Sequence, residues 1–417
     1  MPSRRPPVRK PANVSRSRTP DRRPRILWGS PLPPTHSGVA DYAAELLPCL
    51  AHSAEVTLLE PPDWEPPSDA PWLAGLRRQA RNEAAPPGGA TLLHLGNNPY
   101  HLWVARRLRR FGGIVVLHDS VLHHLLVEEA ADDGDWPRFA AELEAAHGAA
   151  GAALAAARRW GYSGPLDPFL FPAREVYLHC ARGVIVHSEN AARDVAAACP
   201  GVPLRRVPLA VAELPGTDRT TWRARLGAEP GDLLLVHLGF LTPAKGLDAV
   251  LRALAALEGL GVAVRLAVVG EGSEGATFER IVRAAGLDHR VVVWGYAAPA
   301  DLGSILKAAD LGLVPRYPTA GETSAAVLRF LAAGTPVAVA GYAQFLEFPA
   351  DAAYRIAPGV AGVADLVRLV VRLVGDRAER RRRRTAARRV WERGEHAPDR
   401  AAARLLTAVE ELACDVV

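Results

Sequence analysis

Residues 311–337 read LGLVPRYPTAGETSAAVLRFLAAGTPV. A short apolar run, 311–315, stops at a polar turn. A helix-prone stretch follows from Gly321 through Ala333, and Gly334-Thr-Pro leads into a second apolar run over 337–340. Strand, loop, helix and strand in that order form the repeating unit of a parallel sheet covered by helices. Working outward, the same alternation predicts strands over 233–239, 265–270 and 290–294 in the second half of the chain. In the first half it predicts them over 25–29, 55–59, 91–95, 114–118, 183–187 and 205–208. Residues 61–71 are a Pro-rich connection, and 131–170 an Ala-rich, helix-prone insertion ending in a Gly/Pro turn. The apolar rhythm lapses around 212–220, where Pro215-Gly216 intervenes, and this marks a domain linker. The expectation is an α/β protein of two doubly wound, Rossmann-like domains facing a central cleft. Residues 1–24 would be a disordered basic tail, 25–212 an N-terminal domain, 213–395 a C-terminal domain, and 396–417 a closing helix. Ligands of such sheets sit beyond the carboxyl ends of the strands.

Composition narrows the function classes. A chain of 417 residues is too long for one ordinary core. No apolar run reaches the roughly 18 residues a membrane span needs, and the charged start MPSRRPPVRK has no apolar stretch behind it. The expected location is the cytoplasm, with peripheral contact at the inner membrane face through the basic tail. The four cysteines lack C-x-x-C spacing, and no His/Cys/Asp cluster suggests a metal, so no obligatory metal is expected. Residues 1–25 carry nine bases and one acid, which leaves the rest of the chain net acidic. The Arg380–Arg384 run has no aromatic interleaving, so nucleic acid is not an expected partner.

Four strand-to-helix loops carry candidate chemistry. The first, Ser30–Gly38, ends in a glycine whose helix-start N–H groups can receive an anion. The second runs from Gly239 through Phe240 to Lys245-Gly246, and Lys245 is one of three lysines among 50 Lys and Arg. A compact ammonium near a helix start suits a diphosphate, although an ordinary exposed lysine fits the pattern equally well. The third, Gly270-Glu271-Gly272-Ser-Glu-Gly275, matches G-x-G-x-x-G. It lies in the second domain, and no acidic residue ends the next strand, so the dinucleotide reading is discounted. The fourth places Gly321, Glu322, Thr323 and Ser324 at a helix start, where a phosphate and sugar hydroxyls could meet, or where a hydroxyl simply caps the helix. His118-Asp119, after the strand at 114–118, could meet a substrate hydroxyl or be a packed, satisfied pair.

These segments together resemble the GT-B retaining glycosyltransferases of family 4, in a Gly-Glu-Thr-Ser variant. The resemblance covers about residues 25–395. It rests on SGVADY at 37–42, VLHD at 116–119, GFLTPAKG at 239–246, VVGEG at 268–272 and GETSAAVLRFLAAGTPV at 321–337. It implies a nucleoside-diphosphate sugar as co-substrate, with no bound cofactor. The acceptor would be a saccharide, a lipid-linked glycan or a small molecule, and the product would retain the anomeric configuration. His118, Lys245 and Glu322 would be catalytic. Gly38, Gly239, Glu271, Gly272, Tyr296, Ala297, Gly321, Thr323, Ser324 and Arg329 would bind donor. The family often has Arg where this chain has Phe240. Its paired glutamates would fall at 321 and 329, here Gly321 and Arg329, with Glu322 as the nearest substitute. On a helix beginning at Gly321, Glu322 and Arg329 would share a face. A sugar-nucleotide epimerase and a non-catalytic GT-B scaffold are the competing readings.

Overall fold

The computed structural model describes residues 23–84, 87–272 and 275–414. Of the expected basic tail only Arg23 and Pro24 fall among them, and Ser273 and Glu274 of the third loop also lie outside the described residues. The first half of the chain supplies β1 (Arg25–Gly29), β2 (Glu55–Glu60), β3 (Arg77–Ala80), β4 (Ala90–Leu95), β5 (Gly113–Leu117), β6 (Ala181–Val186) and β7 (Leu204–Arg206). The second supplies β8 (Leu233–Leu238), β9 (Val264–Val269), β10 (Val291–Gly295), β11 (Leu311–Val314), β12 (Val337–Ala340) and β13 (Ala353–Ile356). They form two sheets, ordered β3-β2-β1-β4-β5-β6-β7 and β10-β9-β8-β11-β12-β13. Neighbours pair in parallel, for example Trp28 opposite Leu92 and Leu313 opposite His237. The chain is thus an α/β protein of two parallel, doubly wound sheets.

The central strands are short runs of Leu, Val and Ile because helices cover both faces of each sheet, so both sets of alternating side chains are buried. Packing is tight where it positions the loops. A methyl group on Gly312 of β11 would lie 2.6 Å from the Phe330 ring, so this glycine lets the helix Ala325–Ala332 press onto the strand. In each sheet the winding direction reverses between the two central strands. The reversal falls at β1/β4 in one and at β8/β11 in the other, and there the loops splay apart to leave a crevice.

Three features differ from the sequence expectations. β3 has the sequence RRQA and is largely exposed at a sheet edge, so it carries no apolar signal. β13 adds a further edge strand to the second sheet. The last helix, Pro398–Cys414, is not a separate unit. It packs against the helix Gly38–Ser53, with Leu412 beside Gly183 of β6 and Glu411 paired with Arg205. The chain therefore crosses between the sheets twice, and the two crossings lie side by side. Val211 N–H donates to the His396 carbonyl, and His396 Nδ1 lies 3.0 Å from the Leu209 carbonyl. No helix among the described residues is long and apolar enough to cross a membrane.

Candidate functional site

The β8/β11 crevice gathers cations. β8 is followed at once by Gly239, whose φ of +133° is a backbone state other residues rarely adopt. A methyl group there would stand 3.1 Å from Lys245 Nζ, so the glycine leaves room for the ammonium over the strand end. Lys245 follows in a short 3-10 turn before the helix Leu247–Gly259. The loop after β11 is tied to it, with Tyr317 N–H donating to the Ala244 carbonyl at 2.8 Å. Lys245 Nζ has no hydrogen-bond or ion-pair partner among the described residues. Burial and the neighbouring Arg316 charge pull the ammonium down to about 7, against the opposing attraction of Asp119. An unpaired, partly desolvated ammonium is costly unless an anion completes it.

Arg316, immediately after β11, pairs with the Glu322 carboxylate. Glu322 Oε2 also accepts from Ala320 N–H and Thr319 Oγ1, both at 3.0 Å. Gln344 Nε2 in turn donates to Thr319 Oγ1 and to the Glu322 carbonyl. This network corrects the expected helix start. The helix runs Ala325–Ala332 with Ser324 as its N-cap, accepting from Val327 N–H at 3.3 Å, and Gly321 has φ +78°. Glu322 is therefore in the loop and does not share a helix face with Arg329. The Thr323 hydroxyl is buried without a partner.

The first sheet contributes a floor of imidazoles from the ends of adjacent strands. His94 Nδ1 and His118 Nε2 lie 3.0 Å apart. The His118 ring is 5.1 Å from both Tyr42 and His187, and the His94 ring lies tilted against Trp28, ring centres 4.0 Å apart. Burial, reinforced by the other histidines of the cluster, holds His94 and His118 well below the usual imidazole range. His118 is thus neutral at neutral pH, with Nε2 engaged by His94. Asp119, next in sequence, accepts from Asn97 N–H at 2.8 Å. Its carboxyl is raised by burial against that hydrogen bond and the pull of Arg316 and Lys245.

The two crevices meet directly. Ser120 and Val121 N–H both donate to the Ala320 carbonyl, at 2.8 and 3.1 Å. A methyl group on Gly321 would lie 2.6 Å from Ser120 Cβ, so this glycine permits the contact as well as the left-handed turn. Elsewhere Glu347 accepts from Glu189 and Asn190 N–H, capping the helix Glu189–Ala198 of the opposite half.

Other residues singled out from sequence are spread around this junction. Gly38 opens the helix Gly38–Ser53 with Ser37 as its cap and open space beside it. Gly272 and the Glu271 carbonyl pack on the loop after β8, where Leu241 N–H donates to that carbonyl at 2.9 Å. The third loop thus braces the second. Tyr296 is 60% exposed and stacks on His36 of the other half, ring centres 5.4 Å apart, while Ala297 is buried. Arg329 does not face the crevice chemistry. Its guanidinium pairs with Glu45 of the helix Gly38–Ser53 and donates to the Ala212 carbonyl at 2.8 Å. Sequence reading gave no role to Arg316, His94 or His187, and noted Asp119 only as the neighbour of His118. Each stands at or just beyond the carboxyl end of a strand, which is the signal that could have found them. No group of three or more His, Cys, Asp and Glu among the described residues is arranged to hold a metal ion.

Comparison with known proteins gives this geometry a class. Residues 218–390 match the family model of glycosyl transferases group 1. Sucrose-phosphate synthase from Thermosynechococcus elongatus superposes with a TM-score of 0.66 at 17% identity, covering 94% of this chain and all of that one. The HepE protein of Anabaena, crystallised with UDP, superposes at 0.61 with 14% identity, covering 93% and 100%. The chain has the GT-B fold, and its second half is similar to glycosyl transferases group 1 over residues 218–390.

Among curated relatives, the D-inositol 3-phosphate glycosyltransferase of Segniliparus rotundus is 35% identical over 131 residues, 30% of this chain and 28% of that protein. The GDP-mannose-dependent α-(1-6)-phosphatidylinositol dimannoside mannosyltransferase of Mycobacterium tuberculosis is 36% identical over 172 residues, 40% of this chain and 42% of that one. The chain spans less than half the length of these relatives.

Proposed function

We propose that the protein transfers a hexose from a nucleoside-diphosphate sugar to an acceptor hydroxyl, with retention at the anomeric carbon. The carrying observation is the unpaired Lys245 ammonium at the switch point of the transferase-like sheet, with the His118-Asp119 loop directly opposite. In this reading the bond from the anomeric carbon to the diphosphate oxygen breaks and a bond to the acceptor oxygen forms. Lys245 stabilises the charge gathering on the leaving diphosphate. Neutral His118 orients a hydroxyl of the transferred sugar. The two carboxylates nearest the cations, Asp119 and Glu322, are both engaged by protein donors. That favours a reaction without a covalent carboxylate intermediate, in which the acceptor proton passes to the departing phosphate. Glu322 then acts by positioning Arg316 and its own loop.

Gly38, Gly239, Gly321, Thr323 and Ser324 belong to the donor pocket in this reading, with Glu271, Gly272, Tyr296 and Ala297 on its nucleoside side. The acceptor side is the first sheet, and the reaction is placed in the cytoplasm without an obligatory metal. The test is a transfer and hydrolysis screen of UDP-, GDP-, ADP- and dTDP-hexoses against saccharide, polyol and lipid-linked acceptors, with the anomeric configuration read by NMR. Absence of turnover with every donor would leave the scaffold reading in its place.

A further inference from the structure

We propose that Arg316 is the second cation of the diphosphate seat, arriving from the loop after β11 where Phe240 leaves the loop after β8 without one. This rests on the donor-site reading of Lys245. The two loops are those that flank the β8/β11 switch point, so a ligand entering that crevice meets both. They are fastened together by Tyr317 N–H on the Ala244 carbonyl, and Gly246, at φ +72°, lets Pro315 approach without a side chain between. Two like charges held side by side in a desolvated crevice repel each other, which argues that an anion completes them.

The guanidinium is also prepared for this task. Glu322 engages one terminal nitrogen, and Glu322 is itself fixed by Ala320 N–H and Thr319. The remaining N–H groups of the Arg316 side chain have no hydrogen-bond partner among the described residues. A guanidinium anchored at one edge presents its other edge for bidentate contact with phosphate oxygens.

The groups facing the pair are few. Asp119 faces both cations from the opposite half. Behind them His237 is kept neutral by burial and by the same two charges, with Nδ1 on the Leu313 carbonyl at 3.1 Å and Nε2 unpartnered. The Tyr342 hydroxyl lies beside Arg316 and donates to its carbonyl. Of these only Asp119 can carry negative charge, and burial raises its carboxyl while Asn97 N–H occupies one of its oxygens.

The test is calorimetric binding of UDP and GDP to the full chain at several pH values, following whichever binds the wild type more tightly. Arg316→Gln is expected to weaken binding about tenfold or more, and Arg316→Lys, which keeps the charge but not the fork, by less. Loss of the Arg316 charge also frees Lys245 to stay protonated at higher pH. The pH above which affinity falls should therefore move upward in Arg316→Gln, which a purely structural role would not produce. Binding by Arg316→Gln within about twofold of wild type, alongside a weakened Lys245→Ala, overturns the Arg316 assignment and leaves the donor site standing. If Lys245→Ala is unchanged too, or the wild type binds neither nucleotide, the site reading itself fails. Should Arg316→Gln not fold, wild-type affinity in Arg316→Met, which also removes the charge, overturns the assignment.

Discussion

Glu45 and Arg329, 284 residues apart, pair their charges across the two halves of the molecule and grip one residue, Ala212, between them. Glu45 accepts from Ala212 N–H at 2.7 Å, and Arg329 donates to the Ala212 carbonyl at 2.8 Å. The side chains are only 18% and 12% exposed. The linker is thus clamped where it leaves the first sheet, and position 329 serves the relation between the sheets.

Arg329→Ala should therefore destabilise the fold by about 1.5–3 kcal/mol, the range for a charged hydrogen bond, and leave nucleoside-diphosphate affinity nearly unchanged. Urea unfolding of Arg329→Ala, Glu45→Gln and the double variant checks this, with a coupling of at least about 0.5 kcal/mol expected. A large loss of affinity without loss of stability would return Arg329 to the donor pocket.

Lys245→Ala should weaken diphosphate binding by about 1.5–3 kcal/mol without unfolding the protein. Lys245 titrates near 7, so wild-type affinity should be highest below that pH and fall as pH rises above it. Phosphate binding favours the charged ammonium, so proton uptake should accompany binding at pH 8. Calorimetry in buffers of differing ionisation enthalpy measures that uptake, and its absence in Lys245→Ala identifies the residue.

The imidazole floor makes the fold acid-sensitive. Burial lowers His187, and also His101, whose Nδ1 lies 2.8 Å from the His94 carbonyl, to about 4, and holds His94 and His118 well below the free value of 6.5. The unfolded chain therefore binds more protons than the native one between these limits. Stability is fully present above about pH 6.5 and declines progressively as pH falls toward 4, at about 1.4 kcal/mol per unit of depression for each group. Urea midpoints at pH 7 and pH 5 should differ clearly. A flat profile would mean the rings are not held neutral.

Gly321→Ala should cost about 1–2 kcal/mol through its left-handed backbone alone. It should cost more through collision with Ser120 Cβ, so transfer should suffer more than diphosphate binding. Ser120→Gly in the same chain should recover part of the collision and none of the backbone strain. Differential scanning calorimetry of the two variants and the pair separates the terms.

Legibility in the sequence followed burial. β8, β11 and β12 were plain because helices cover both faces, leaving runs made up of Leu, Val, Ala and Gly but for His237. The edge strand β3, Arg-Arg-Gln-Ala, has no buried face to mark it. Lys245 could be singled out from its rarity and its place between strand and helix. The displaced helix start at Ser324 could not be, because it depends on Glu322 folding back onto Arg316 and on Gly321 turning left-handed. The Glu45–Arg329 pair and the four-histidine floor join residues from separate strands and helices, and no local pattern records such a meeting.

The return of the final helix to the first sheet has a consequence for anyone dividing this molecule. The unit that presents His118 is discontinuous, made from the first half of the chain and the segment 398–414, and the other unit is an insertion between them. A cut near residue 212 would expose Leu405, Val409 and Leu412 on one product and their seat beside Leu46 and Leu50 on the other. Recombining acceptor halves with donor halves from other proteins would need two junctions, one at each neighbouring crossing, so that the last helix travels with the first sheet.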